Sequence, residues 1–179
     1  INIAPPTALS YTGNPFSFTK DVTITAISPT VTGTVSSWSV SPSLPTGLSL
    51  NASTGQLSGT PTVITTAAIY TVTATNSSGS VNFALNIIVN DSPPTSLSYA
   101  GAPFVFTKGV TITSVSPTVT GTPTSYSVSP ALPSGLAINT TTGVLAGTPS
   151  VVAANTVYTV TATNSGGSTT FNMNLTVND

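Results

Sequence analysis

Tyr70-Thr71-Val72-Thr73-Ala74-Thr75-Asn76-Ser77-Ser78-Gly79-Ser80 runs without a break into Val81-Asn82-Phe83-Ala84-Leu85-Asn86-Ile87-Ile88-Val89. Both runs alternate apolar with small polar residues, and an Asn-Ser-Ser-Gly turn joins them. That is the pattern of a β-hairpin with one buried face. The hairpin occurs again at an offset of 88 residues, as Tyr158-Thr159-Val160-Thr161-Ala162-Thr163-Asn164-Ser165-Gly166-Gly167-Ser168 followed by Phe171, Met173, Leu175 and Val177.

Sliding the chain against itself at that offset keeps register without a gap from Pro6/Pro94 to Asp91/Asp179. Tyr11 then pairs with Tyr99, Phe16 with Phe104, Lys20 with Lys108, Trp38 with Tyr126 and Gly55 with Gly143. A duplication that long predicts two domains, residues 4–91 and 92–179. Each is large enough to hold a core unaided, since disulfides or metals become necessary only below about 40 residues. Asn90-Asp91-Ser92-Pro93-Pro94 reads as a short, stiff joint, because proline removes a donor and favours extended backbone. The opening Ile1-Asn2-Ile3-Ala4-Pro5-Pro6 matches Val89 to Pro94, so residues 1–3 read as the end of a preceding repeat or as a joint strand, and both termini as cuts through a longer array or as joints where one subunit meets the next.

Outward from the hairpin, the first unit breaks into short strands. Ala8 to Tyr11 and Phe16 to Phe18 are interrupted by Gly13 and Pro15, and Val22 to Ile27 reads as a strand with Val22, Ile24 and Ala26 on one face. Pro29 to Gly33 reads as a turn, and Val35 to Val40 as a central strand carrying Trp38 into the core. Leu48 to Leu50 and Gln56 to Pro61 flank the tight turn Asn51-Ala52-Ser53-Thr54-Gly55, with Gly55 at positive φ. Short strands, frequent turns and no helical period predict an all-β chain of sandwiches with Greek-key connections. Tyr70 and Tyr158 are candidates for tyrosine corners, their hydroxyls bonded back to the main chain.

Leu44-Pro45-Thr46-Gly47-Leu48-Ser49-Leu50, Thr54-Gly55-Gln56-Leu57-Ser58-Gly59-Thr60-Pro61 and Tyr70 to Asn76 together resemble the He_PIG repeat, related to cadherin-like, dystroglycan-type domains. Leu132 to Ile138, Thr142 to Pro149 and Tyr158 to Asn164 repeat the whole signature. The resemblance implies two tandem Ig-like Greek-key β-sandwiches, of the kind strung together in bacterial haemagglutinins, adhesins and other surface proteins. It implies an extracellular or cell-surface location and a structural, non-enzymatic role.

Charge narrows the function classes further. Lys20 and Lys108 stand against Asp21, Asp91 and Asp179, with no Glu, Arg, His or Cys. Ordinary domains carry roughly 25% charged residues; this chain carries 3%. Two cations cannot neutralise a row of phosphates or an anionic bilayer, which argues against nucleic acid and membrane surfaces as partners. No apolar run approaches the roughly 20 residues of a spanning helix, and dense Pro and Gly without aromatic girdles speak against a membrane barrel.

No catalytic, cofactor-binding or metal-binding residue is expected. Ser and Thr lack a base to activate them. Asp91 and Asp179 occupy equivalent places in separate domains, too far apart for a glycosidase pair at roughly 5–10 Å. Calcium wants six to eight oxygens including several acids, and the joint offers one carboxylate, Asp91, with Asp21 or carbonyls as further candidates. A Lys20 isopeptide bond assisted by Asp21 has no parallel in the second unit, where Gly109 replaces the acid. The triplets starting at Asn51, Asn76, Asn139 and Asn174 fit the glycosylation pattern, which an Asn- and Thr-rich chain produces by chance.

The expected partners are therefore neighbouring repeats or other copies of this chain, held by sheet edges and apolar contact, as in a stalk, filament or surface layer. The alternative is a module recognising a glycan or host protein, with Tyr11, Tyr99 and the Asn-rich loops as its candidate platform.

Overall fold

A computed structural model describes residues 3–179, which contain sixteen strands and no helix. The contacts divide the chain into two compact units, Ile1–Asn90 and Asp91–Asp179. The reading of residues 1–3 as the end of an earlier repeat or a joint strand falls mainly on Ile1 and Asn2, outside the described residues.

The first unit runs β1 (Thr7–Ser10), β2 (Phe16–Thr19), β3 (Thr30–Thr32), β4 (Ser37–Ser41), β5 (Leu48–Leu50), β6 (Leu57–Gly59), β7 (Thr65–Asn76) and β8 (Gly79–Asn90). The second repeats it as β9 (Thr95–Tyr99), β10 (Phe104–Thr107), β11 (Pro117–Thr120), β12 (Ser125–Ser129), β13 (Leu136–Ile138), β14 (Leu145–Gly147), β15 (Ala153–Asn164) and β16 (Gly167–Asn178). One layer of each sandwich is a four-stranded sheet, β2-β8-β7-β4 or β10-β16-β15-β12. The other consists of short ladders, β1 with β3 and β5 with β6 in the first unit.

The opening hairpin forms as its alternation requires. Tyr70, Val72, Ala74 and Asn76 of β7 and Leu85, Ile87 and Val89 of β8 point inward, with Val72, Leu85, Ile87 and Val89 wholly buried. Leu57, also wholly buried, closes the core from the opposite layer. On the outer face Ser80, Thr75 and Ser37 lie abreast, then Asn82, Thr73 and Ser39, then Ala84, Thr71 and Ser41. The second unit repeats this array as Ser168-Thr163-Ser125, Thr170-Thr161-Ser127 and Asn172-Thr159-Ser129. Alcohols and amides thus hydrate a sheet that carries no ionic group on those rows.

Three local expectations are corrected. Residues 22–26 form no strand. Their neighbourhood is tied to the opposite layer through Asp21 N to Pro61 O, Ile24 N to Gly59 O and the paired bonds of Ile27 with Leu57. These contacts recur every third residue rather than every second, so Ile24 and Ile27 turn inward while Val22 stays half exposed and Ala26 exposed. Inside the stretch read as the Pro29–Gly33 turn lies β3, which pairs with β1. Trp38 sits on the end strand of its sheet, not a central one. It is nonetheless buried, because the Asn51–Gly55 turn closes over that edge and Ala52 O accepts the Trp38 amide at 3.0 Å.

Candidate functional site

The few ionic groups are scattered. Lys20 Nζ lies 3.6 Å from Asp21 Oδ2, and Lys108 Nζ lies 3.1 Å from Asp179 Oδ1, both pairs on the surface. Asp91 is bonded into the second unit: its amide donates to Ser165 Oγ at 2.9 Å and its carboxylate accepts from the Thr122 hydroxyl and the Ser92 amide. Among the described residues no group of three or more His, Cys, Asp or Glu could hold a metal ion. No helix among them is long and apolar enough to cross a membrane.

The aromatic candidates lie inside. Tyr11 and Tyr99 are each 3% exposed, and their hydroxyls donate at 2.6 Å to the carbonyls of Gly55 and Gly143. They present no ring face to a sugar, so the platform suggested by the sequence does not exist at these two positions. They also take the role expected of Tyr70 and Tyr158, whose buried rings have hydroxyls with no hydrogen bond among the described residues. The Gly55 backbone, at φ +71°, lies directly on the Trp38 ring: a Cβ there would fall 2.5 Å from Trp38 Cδ2. The signature turn, the tryptophan and Tyr11 thus form one packing knot.

This knot predicts the pH response. Burial pushes the Tyr99 hydroxyl up to about 12, with a smaller push from Tyr126, and burial pushes Tyr11 up as well. A phenol raised above its ordinary 10.0 holds its proton more tightly in the folded state, so the unfolded chain releases it first. The stability it contributes is complete below pH 10.0 and is lost as pH climbs to about 12. With no histidine to titrate near neutrality, chemical denaturation midpoints should stay level between about pH 6 and 9 and fall steeply above 10. A midpoint that held constant into strong alkali would contradict this.

Two residues of structural weight escaped the sequence reading. Asn76, 8% exposed, donates through Nδ2 to Ala4 O (2.8 Å) and Thr34 O (2.9 Å), while its Oδ1 accepts from Ser78 N (2.8 Å). Asn164 does the same with Ser92 O, Thr122 O and Gly166 N. Each ties the entering chain, a loop and the hairpin turn at one buried point. The available signal was an Asn closing the inward-facing series Tyr70, Val72, Ala74 in both copies. Of the other glycosylation triplets, Asn51 and Asn139 have their side-chain oxygens bonded to backbone amides of the following turn, and Asn174 stands exposed on β16.

An apolar groove opens along one flank of each unit. In the first it has a volume of about 330 Å³ and is walled by Phe18, Val22 and Ile24. In the second it measures about 430 Å³, with Phe106, Val110 and Ile112 at the same places. One wall is β2 or β10, the end strand of its sheet. The fold and these surfaces define an Ig-like repeat protein with no assembled chemical centre among its described residues.

The family model He_PIG, "Putative Ig domain", matches residues 1–87 and again 86–178. The chain belongs to that family, as two tandem copies of its domain. Among solved structures it is similar to extracellular domains 3–5 of Drosophila OTK, at 18% identity and TM-score 0.56, covering 96% of this chain and 62% of that one. It is also similar to the N-terminal eight Ig domains of Down Syndrome Cell Adhesion Molecule isoform 1.30.30, at 14% identity and TM-score 0.54, covering 99% of this chain and 25% of that one. At these identities the likeness is one of fold, and this chain spans less than two thirds of either. No curated protein matches the sequence.

Proposed function

We propose that the chain is a non-enzymatic structural segment of a bacterial extracellular or cell-surface protein, built from repeats at 4–91 and 92–179 and serving as an adhesin stalk or as a building block of a filament or surface layer. The observation that carries this reading is the path of the chain through each unit. Pro5 enters beside Gly79, where β8 begins: a Cβ on Gly79 would lie 3.1 Å from Pro5 Cβ. The chain leaves at Asn90, where β8 ends. Pro93 and Gly167 repeat the entry in the second unit, and Asn178 closes β16. Entry and exit therefore stand at opposite ends of a twelve-residue strand, about 36 Å apart at about 3.3 Å per residue. Each unit is a spacer that adds length.

Family membership and the uncharged, hydroxyl-covered outer sheet support the same reading. The second reading, a module that recognises a glycan or host protein, draws on the groove that recurs in both units. Electron microscopy of the intact parent protein separates the two: thin projections lengthening by about 36 Å per repeat are expected of a spacer. Repeats folded back into a compact head would defeat the proposal.

A further inference from the structure

We infer that the two repeats are unequal mechanical clamps, the first built to hold and the second to give way earlier under tension. This inference rests on the structural reading above. In each unit the second strand, β2 or β10, runs parallel to the strand by which the chain leaves. In the first unit the register is Phe16 with Ile87 through Thr19 with Asn90, continued by Lys20 N to Asn90 O at 2.8 Å. In the second it is Phe104 with Leu175 through Thr107 with Asn178, continued by Lys108 N to Asn178 O at 2.9 Å. Pulling on the two ends of a unit drags parallel neighbours in opposite directions along their length. The rungs between them are then strained together, whereas a hairpin opened from its free end loses them singly. Ahead of this pair the load meets β1, whose ladder with β3 is short and irregular, and single side-chain bonds, Asn76 to Ala4 O and Tyr11 to Gly55 O, that both units share.

The two clamps differ in their side chains. Pro15 has no N–H to offer β8, and the Asn14 carboxamide takes the place of the missing peptide. Its Nδ2 donates to Ala84 O at 3.2 Å and its Oδ1 accepts from Asn86 N at 2.8 Å. These partners bracket Leu85, as a residue in a parallel ladder brackets its neighbour. Asn90 Nδ2 adds a further cross-strand bond to Ser17 Oγ at 3.0 Å. In the second unit Ala102 precedes the proline and Val105 replaces the serine, so all three bonds are missing. What that unit has instead is the exposed Lys108–Asp179 pair, which salt screens. The corresponding first-unit pair joins the sequence neighbours Lys20 and Asp21 and bridges no strands.

The test is single-molecule pulling of the two-unit chain between handles at its ends, with a Gly-Ser insertion between exposed Val63 and Ile64 to lengthen the first unit's release step. The shorter step should rupture at lower force, and raised salt should lower that force further. N14A should bring the longer step down towards the shorter one. A102N, which places a carboxamide opposite Asn172 O and Asn174 N, should raise the shorter one. With handles moved so that β7 and β8 are peeled apart from their turn, N14A should leave the rupture force unchanged, which separates clamping from general stability. The inference is overturned if N14A has no effect end to end, if it weakens both pulling directions alike, or if the longer step breaks first. Should neither unit resist end-to-end load better than peeling, the structural reading falls as well; strong clamps in reversed order would remove the inequality alone.

Discussion

Gly47→Ala unfolds the first unit under conditions where the second stays folded. Gly47 has φ +93°, and a Cβ there would sit 1.9 Å from the Thr60 carbonyl oxygen and 3.2 Å from Pro61 Cα. Neither backbone can retreat, because Thr60 N is bonded to Gly47 O at 2.9 Å and Leu48 is in register with Gly59. Gly59 presses back from the other side, its own hypothetical Cβ meeting Gly47 O at 2.1 Å. Left-handed backbone strain and overpacking each cost about 1–3 kcal/mol, so the substitution costs about 4 kcal/mol. A domain of this size loses about 4–8 °C of Tm per kcal/mol. Calorimetry should therefore resolve two transitions, the first unit's lowered by about 15–30 °C. Gly135→Ala should exchange the roles of the units, and a melt unchanged by either substitution would refute the argument.

Asn76→Ala is the second large effect. Truncation strands Ala4 O, Thr34 O and Ser78 N together. An unsatisfied buried group costs about 1–3 kcal/mol, and partial access of water at the turn brings the sum to about 3 kcal/mol. Asn76→Asp should do no better, since a carboxylate cannot donate to the two carbonyls. The chain's single tryptophan, Trp38, lies in the first unit's core, so its fluorescence during urea denaturation follows that unit alone. A midpoint equal to the parent's would show that the asparagine is not the tie described here.

The large features were legible in the sequence because they depend on alternation and duplication. Tyr70 to Val89 had to form a hairpin, since each inward residue is apolar up to the closing Asn76, and the repeat at Tyr158 doubled that evidence. What stayed hidden depends on which atoms meet across a distance in sequence. Val22, Ile24 and Ala26 alternate as a strand would, yet the segment meets Pro61, Gly59 and Leu57 of the opposite layer only at every third residue, Asp21, Ile24 and Ile27. Tyr11 and Tyr70 both recur in the second copy, as Tyr99 and Tyr158. Only the approach of Gly55 decides which hydroxyl finds a carbonyl. Asn14 reads as a residue in a Gly-Asn-Pro turn, and its substitution for a peptide group is visible only when β8 lies beside it. On the chemistry of the surface the sequence was more direct: five ionic side chains in the chain left little from which a centre could be assembled.

The placement of the lysines also bears on resistance to proteolysis. Lys20 and Lys108 offer trypsin-like enzymes their two points of attack, since the chain contains no arginine. Both stand just beyond the parallel strand pair with their amides bonded to the departing strand. A peptide bond must leave such a ladder before it can lie extended in a protease cleft. Digestion at either point therefore waits on the opening of the unit's own edge, and resistance to cleavage follows from the same rungs that hold the ends together.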